Sequence, residues 1–196
     1  MAGRQTPSQT VGPFFAYGLT PAQYGYPMSS IASGAIADES TEGERIRVEG
    51  RIFDGAGAPV SDAVVEVWQA DAWGRYAHPA DERGRNVPFR GFGRFGTGTD
   101  HDHRFIFETI KPGAIGGGQA PHLNLIVFMR GLTNHVYTRL YFADEAEANA
   151  ADPILALVPE ARRQSLIAER REGAAGPVYR LDIHMQGERE TVFFDV

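Results

Sequence analysis

Short runs of alternating apolar and polar residues dominate the chain from Arg45 onward. In Arg45–Phe53, Ile46, Val48 and Ile52 alternate with polar residues, a period that is typical of a strand with one buried face. Six later runs, bounded by turn-forming residues, have a similar character. The predicted strands there are Ala63–Gln69, Phe105–Ile110, His122–Arg130, Val136–Phe142, Val178–Met185 and Thr191–Phe194.

Helical signals are few. Pro159–Arg171 predicts a helix, because proline lies near its start, basic residues fall in its last turn and Gly173 follows its end. A shorter helix is predicted at Asp144–Ala150. Strands separated by long connections favour an all-β fold. We therefore predict a β-sandwich domain over residues 45–196, with long loops and one or two short helices.

Residues 1–44 contain turn formers and scattered aromatic residues, as in Gly12-Pro13-Phe14-Phe15, but no sustained helical or strand period. A disordered tail is usually poorer in Phe and Tyr. We therefore predict an ordered N-terminal arm that packs on its own domain or on a neighbouring chain.

Charge and composition narrow the classes of function. The chain has 19 Lys and Arg against 25 Asp and Glu, a net charge of −6 that argues against nucleic acid as a ligand. It has no cysteine, which excludes disulfides and thiolate metal sites. Neither a signal-like apolar stretch near the start nor a run of about 18 apolar residues is present, so we expect a cytoplasmic protein without a membrane segment.

Two stretches have side chains that suit a metal. In Asp100-His-Asp-His103 the two imidazoles would point the same way on an extended chain, but a position between Gly-rich sequence and a strand favours an ordinary turn. His122 and Asn124 should project from one face of a strand. His-x-Asn is a poor chelating pair, so a hydrogen-bonded strand histidine is the simpler interpretation.

Arg130 ends the same predicted strand, just before Gly131. It is either a solvated cation at a strand end or a guanidinium that reaches a cavity and favours an anionic substrate. The sequence pattern leaves both interpretations open.

The whole chain resembles the intradiol ring-cleaving dioxygenases, and more closely the alpha chains of the protocatechuate 3,4-dioxygenases among them. The resemblance extends over nearly the full length in collinear blocks. These blocks are Thr6–Pro13, Val65–Ala72, Thr109–Gly113, Ala120–His122, Thr138–Phe142 and Gln186–Asp195.

The resemblance implies that iron is not bound by this chain. In the family, Fe³⁺ is held by two tyrosines and two histidines, and the matching positions here are Arg83, Ile115, His122 and Asn124. Only the first histidine is retained, and isoleucine cannot coordinate a metal. By resemblance, a homologous beta subunit binds the iron, and the two chains form an αβ unit and higher (αβ)n oligomers.

The resemblance also implies a role for the arm. Thr10, Gly12 and Pro13 would line the entrance of the partner's active site, and Phe14 stands where a tyrosine is expected. Arg130 would add positive potential for a substrate carboxylate. The implied reaction is cleavage of protocatechuate by O₂ to 3-carboxy-cis,cis-muconate.

Two alternative hypotheses are open. In the first, the chain is a stand-alone binding or structural module that has lost its enzyme partner. In the second, it is an independent metalloenzyme that uses His101, His103 and His122.

Overall fold

A computed structural model describes residues 6–84 and 89–195 of the chain, and most of its regular structure is strand. The strands are β1 Arg45–Phe53, β2 Val64–Gln69, β3 Phe92–Gly96, β4 Arg104–Ile110, β5 His122–Phe128, β6 Val136–Phe142, β7 Ile167–Gly173, β8 Gly176–Arg180 and β9 Ile183–His184. The α-helices are α1 Phe15–Leu19, α2 Ala146–Ala151 and α3 Glu160–Arg163. Short 3₁₀ segments span Pro21–Tyr24, Glu82–Gly84, Thr97–Thr99, Leu155–Leu157 and Gln164–Leu166.

The strands form one continuous path in the order β3-β2-β5-β6-β7-β8-β1-β4, with β9 beside β1. The parallel contacts are β6–β7, β1–β8 and β1–β9. Apolar side chains from β2, β5 and β6 share one core with those from β1, β4 and β8, so the two halves of the path pack face to face. The all-β prediction is therefore confirmed.

Alternation along β5 explains how one strand serves both the core and a polar face. Leu123, Leu125 and Val127 are fully buried in the shared core. His122 and Asn124 occupy the intervening positions and project from the other face. The burial of the leucines thus determines where the polar pair lies.

Gln69 joins the two halves of the fold. Its side chain is buried, its Nε2 donates to the carbonyl oxygen of Ile110 at 3.0 Å, and its Oε1 accepts from the Thr109 hydroxyl at 2.7 Å. Gln69 ends β2, whereas Thr109 and Ile110 end β4. Each partner lies out of contact with water and depends on the glutamine amide for its hydrogen bond.

The segment around Gly34 lies across the two end strands of the path. The Ser33 carbonyl accepts from Arg94 N–H in β3 at 3.1 Å. Glu108 in β4 donates to the Gly34 carbonyl at 2.8 Å and accepts from Ile36 N–H at 2.9 Å. The last part of the N-terminal arm therefore pairs with the strands of its own domain. Packing of the rest of the arm on a partner stays a prediction.

The helix predicted at Pro159–Arg171 is wrong over the second half of that segment. Helix α3 ends at Arg163, and β7 begins at Ile167. Ile167 and Ala168 pair with the end of β6, and the rest of β7 forms a hairpin with β8. Long-range pairing determines this structure, since the charged residues that suggest a helix terminus are equally compatible with an exposed strand.

Two further predictions need correction. The single strand predicted at Val178–Met185 is two strands, β8 and β9. Between them, the Asp182 carboxylate accepts a hydrogen bond from the backbone N–H of Arg51 at 3.0 Å, in place of a backbone carbonyl. Thr191–Phe194 forms no regular strand in the described structure: it contains an isolated bridge between Phe194 and Tyr137 and a backbone hydrogen bond from Thr191 to His184. Within residues 45–196, the described part of the chain has two short α-helices, α2 and α3, as predicted, and α1 lies in the arm. In this part of the chain, no helix is both long and apolar enough to cross a membrane.

We predict that Gln69→Ala lowers the free energy of unfolding by about 2–4 kcal/mol, because buried partners at Ile110 and Thr109 lose their hydrogen bonds. Urea denaturation monitored by tryptophan fluorescence measures the change. Gln164→Ala, at an exposed position, is the matched control and should change stability by less than about 0.5 kcal/mol. Equal effects of the two substitutions would contradict the role of Gln69.

Candidate functional site

The polar residues singled out from the sequence lie at opposite ends of β5. His122 and Asn124 are at its beginning, and Arg130 follows its end at Phe128. A strand rises about 3.3 Å per residue, so β5 extends about 20 Å from His122 to Phe128, and Arg130 lies beyond that end. The two ends therefore form two distinct sites.

His122 is buried with one ring nitrogen committed. Its Nδ1 lies 2.7 Å from the Ala120 carbonyl oxygen and must carry the proton of that hydrogen bond. Nε2 is buried and has no hydrogen-bond partner in the described structure. Burial, reinforced by the positive charge of Arg139, lowers the pKa of His122 to about 4. The imidazole is therefore neutral at pH 7.

Arg139 brings a positive charge to this end of the sheet. It lies directly opposite Asn124 in the β5–β6 register. Its Nη1 donates to Gln119 Oε1 at 2.8 Å and to the Tyr141 hydroxyl at 3.2 Å. Burial raises the pKa of Tyr141 to about 12, so that phenol stays protonated.

Asn124 acts as a hydrogen-bond donor. Its Nδ2 donates to the Trp68 carbonyl at 3.2 Å and to the Tyr76 hydroxyl at 3.1 Å. The Tyr76 ring stacks on Trp68 with centroids 5.8 Å apart. Burial raises the pKa of Tyr76 above its usual range, so this phenol also keeps its proton.

Arg83 and Ile115 both meet the loop at Gly74. Arg83 Nη2 donates to the Gly74 carbonyl at 3.2 Å and forms an ion pair with Asp81 at 2.9 Å. Gly74 has φ +72° and packs closely on the loop that contains Ile115. A Cβ at Gly74 would lie 1.9 Å from the Ala114 carbonyl oxygen and 3.3 Å from the Ile115 Cα, so a larger residue would not fit. Because Tyr76 in the same loop contacts Asn124, the structure brings all four sequence-matched positions into one region.

These side chains do not fit a ferric ion. They present one imidazole nitrogen, that of His122, with protonated phenols and the Arg139 guanidinium around it. A fixed cation opposes binding of a trivalent metal, and an amide is a weak donor. Across the described ranges, no group of three or more His, Asp or Glu side chains is arranged to hold a metal.

At the other end of β5, the arm and Arg130 come together. Arg130 forms an ion pair with Asp62, and its side chain is 56% exposed. The next residue, Gly131, donates its N–H to Thr10 Oγ1 at 2.8 Å. Two residues earlier in the arm, the Ser8 hydroxyl contacts the loop that follows Gly131. Thr10 therefore lies beside the backbone that follows Arg130 within this chain, and its place at a partner's active site stays a prediction.

The arm next presents an exposed aromatic patch, which we define as Phe14, Tyr17 and Tyr26. Gly12 and Pro13 before it are exposed, and the Phe14 side chain is 76% exposed. The rings of Phe14 and Tyr17 are 6.0 Å apart, and those of Tyr17 and Tyr26 are 6.1 Å apart. Elsewhere in the described residues, the large exposed apolar side chains are Met28, Ile31, Trp73 and Leu157. Exposed apolar residues grouped in this way are typical of a protein interface.

The Asp100–His103 stretch forms a turn, as predicted. His103 N–H donates to the Asp100 carbonyl at 3.0 Å, and His103 adopts φ 56°. The His101 side chain is fully exposed, whereas His122 is buried. The structure therefore does not assemble the three histidines that the independent-metalloenzyme alternative requires.

Sequence reasoning missed Tyr76, Arg139 and Tyr141 around His122. A signal for two of them exists, because Arg139 and Tyr141 alternate with apolar residues in β6, as His122 and Asn124 do in β5. Pairing two polar faces across adjacent strands would have suggested the cluster. Tyr76 comes from a loop and has no such signal.

Comparisons with known proteins agree with this architecture. A model of the dioxygenase family matches residues 12–187. A protocatechuate 3,4-dioxygenase alpha chain from Burkholderia cepacia is 53% identical over 98% of both chains. A beta chain of that enzyme from the same organism is 35% identical over 82% of this chain and 72% of its own length.

The fold has a counterpart among solved structures. An intradiol ring-cleavage dioxygenase from Tetranychus urticae superposes with a TM-score of 0.62, covering 92% of this chain and 94% of its own. The two sequences are 18% identical, so this likeness shows a common fold.

Burial of neutral His122 predicts a pH dependence of stability. Its folded pKa of about 4 lies below the usual 6.5, so protonation favours the unfolded chain. The contribution is complete above pH 6.5 and is lost as the pH falls toward 4, by up to roughly 3 kcal/mol. Urea midpoints at pH 7.5 and 4.5 should differ less in His122→Asn than in the original protein.

The exposed His101 offers the matched control for this measurement. His101→Asn should retain the pH dependence of the original protein. A His122→Asn protein with an unchanged pH profile would show that other groups cause the loss of stability.

Proposed function

Because the chain belongs to the dioxygenase family, and within it to the protocatechuate 3,4-dioxygenase alpha chains, we propose that it serves as the subunit that does not bind iron in a heteromeric intradiol dioxygenase. The substrate is protocatechuate, and the product of its reaction with O₂ is 3-carboxy-cis,cis-muconate. We assign the Fe³⁺ to a homologous beta subunit.

One observation carries this proposal. Arg130 and Thr10 lie beyond Phe128, which is itself about 20 Å along β5 from His122, the retained member of the family's iron-ligand positions. Protocatechuate is a single substituted ring and is much shorter than that. An arginine and an arm at this end of the strand contribute to catalysis only if they meet the active site of another chain.

The proposed partner is a beta chain of the same fold. A known beta chain is 35% identical to this chain, so the two kinds of subunit are homologous. The aromatic patch on the arm provides apolar surface for such an interface. The resulting αβ units assemble further into (αβ)n oligomers.

This chain contributes to substrate binding at the entrance of the partner's active site. Iron held there supplies the metal chemistry of ring opening, and the residues of this chain bind and orient the substrate. Thr10, Gly12 and Pro13 form the wall of the entrance, and Phe14 adds an apolar ring without a hydroxyl. The Arg130 guanidinium attracts the substrate carboxylate, an effect that strengthens as the arm excludes water.

The first test measures iron content and protocatechuate-dependent O₂ uptake. We expect the chain alone to contain no stoichiometric iron and to be inactive, and the complex co-expressed with its beta chain to contain iron and consume O₂. A single chain that binds one ferric ion and turns over would show that our assignment of the ligands is wrong. A chain that forms no complex with the beta chain would favour a stand-alone binding module.

A second test concerns Arg130. We predict that Arg130→Ala raises the KM of the assembled enzyme for protocatechuate about five- to tenfold, because a charge-assisted contact with the carboxylate is lost. Iron content should not change. Arg171→Ala, which removes an exposed cation paired with Glu169 on β7, is the control. An unaltered KM would identify Arg130 as a solvated cation.

A further inference from the structure

Asp62 is placed opposite Arg130 by the pairing of β2 with β5. The antiparallel register joins Val64 to Phe128. Two residues beyond each of these positions, the same register sets Asp62 against Arg130. Directly opposed residues of a sheet lie close enough for their side chains to interact. The ion pair between the Arg130 Nε and the Asp62 Oδ2 therefore follows from the fold.

The geometry of this ion pair leaves one edge of the guanidinium available. Arg130 donates to Asp62 through Nε, and the hydrogen bonds of the described residues include none from Nη1 or Nη2. The Asp62 side chain is 26% exposed against 56% for Arg130, so the carboxylate forms the sheltered end of the pair. The two Nη groups form a fork that matches a carboxylate.

The backbone beside Arg130 is also held. Gly131 N–H donates to Thr10 Oγ1, which ties the arm to the end of β5. Arg130 is therefore constrained at its side chain by Asp62, just before β2, and at the peptide that follows it by the arm. A long arginine side chain otherwise loses conformational freedom when it binds an anion, and holding it in advance reduces that loss.

We propose that Asp62 is a positioning residue for substrate binding: it holds the Arg130 Nε so that the Nη edge is presented to the carboxylate of the aromatic substrate. This inference rests on the proposed function. Asp62 acts through Arg130 and does not itself contact the substrate, because its negative charge would repel a carboxylate.

A double-mutant cycle on the co-purified αβ enzyme tests this role. We expect Asp62→Ala to raise the KM for protocatechuate about three- to fivefold and to change kcat less than twofold. Asp62→Ala combined with Arg130→Ala should have the KM of Arg130→Ala alone, since both substitutions act on one interaction. Asp62→Asn keeps an oxygen that can accept the hydrogen bond from the Arg130 Nε, so its KM should stay within twofold of that of the original protein.

The melting temperature and the yield of the co-purified complex are measured for each variant. Glu169→Ala, which removes the carboxylate of an exposed ion pair on β7, is the matched control. If Arg130→Ala raises KM and Asp62→Ala does not, the positioning role is overturned and the proposed function stands. Additive effects of Asp62→Ala and Arg130→Ala, or failure of Asp62→Asn to restore KM, also overturn it. If Arg130→Ala has no effect in an active complex, the substrate-binding role of this chain fails as well.

Discussion

The register of β2 against β5 is the constraint on which both polar sites depend. It runs from Val64 opposite Phe128 to Gln69 opposite Leu123. A shift of one residue would turn the buried leucines of β5 toward the polar face, at the cost of the shared core. Burial of apolar area thus fixes the positions of polar groups. The same pairing aligns Trp68 with Asn124 at one end and continues to the Asp62–Arg130 pair at the other.

The strands with one buried face were predictable because alternation reports burial directly. The limits of β1 and β6 agree with the sequence pattern to the residue. Strand β3, Phe92–Gly96, was missed, since two of its five residues are glycines that carry no side chain to establish an alternation. Strand β7 was taken for a helix because most of it is charged and exposed, so only its pairing with β6 and β8 identifies it.

The sequence allowed several residues of the candidate sites to be predicted, but not their protonation states or hydrogen-bond partners. The strand pattern places His122 and Asn124 on one face without any knowledge of the partner strands. The neutral state of His122 depends on burial and on Arg139, which only the β5–β6 register brings close. Likewise, Arg130 was recognisable as a strand-end cation, but its carboxylate partner lies 68 positions earlier in the chain. Sequence distance of this kind carries no local signal.

The segment around Gly34 has a consequence for how the protein stays dispersed. Strands at the ends of a sheet carry unpaired backbone groups that can recruit strands from other molecules. Here one short stretch of the arm bonds to Arg94 in β3 and to Glu108 in β4, so it occupies part of both edges. The arm, which we propose to contact a partner subunit, is therefore continuous with the stretch that covers these two edges. In the proposed assembly, a single arm would thus serve both specific association and protection from aggregation.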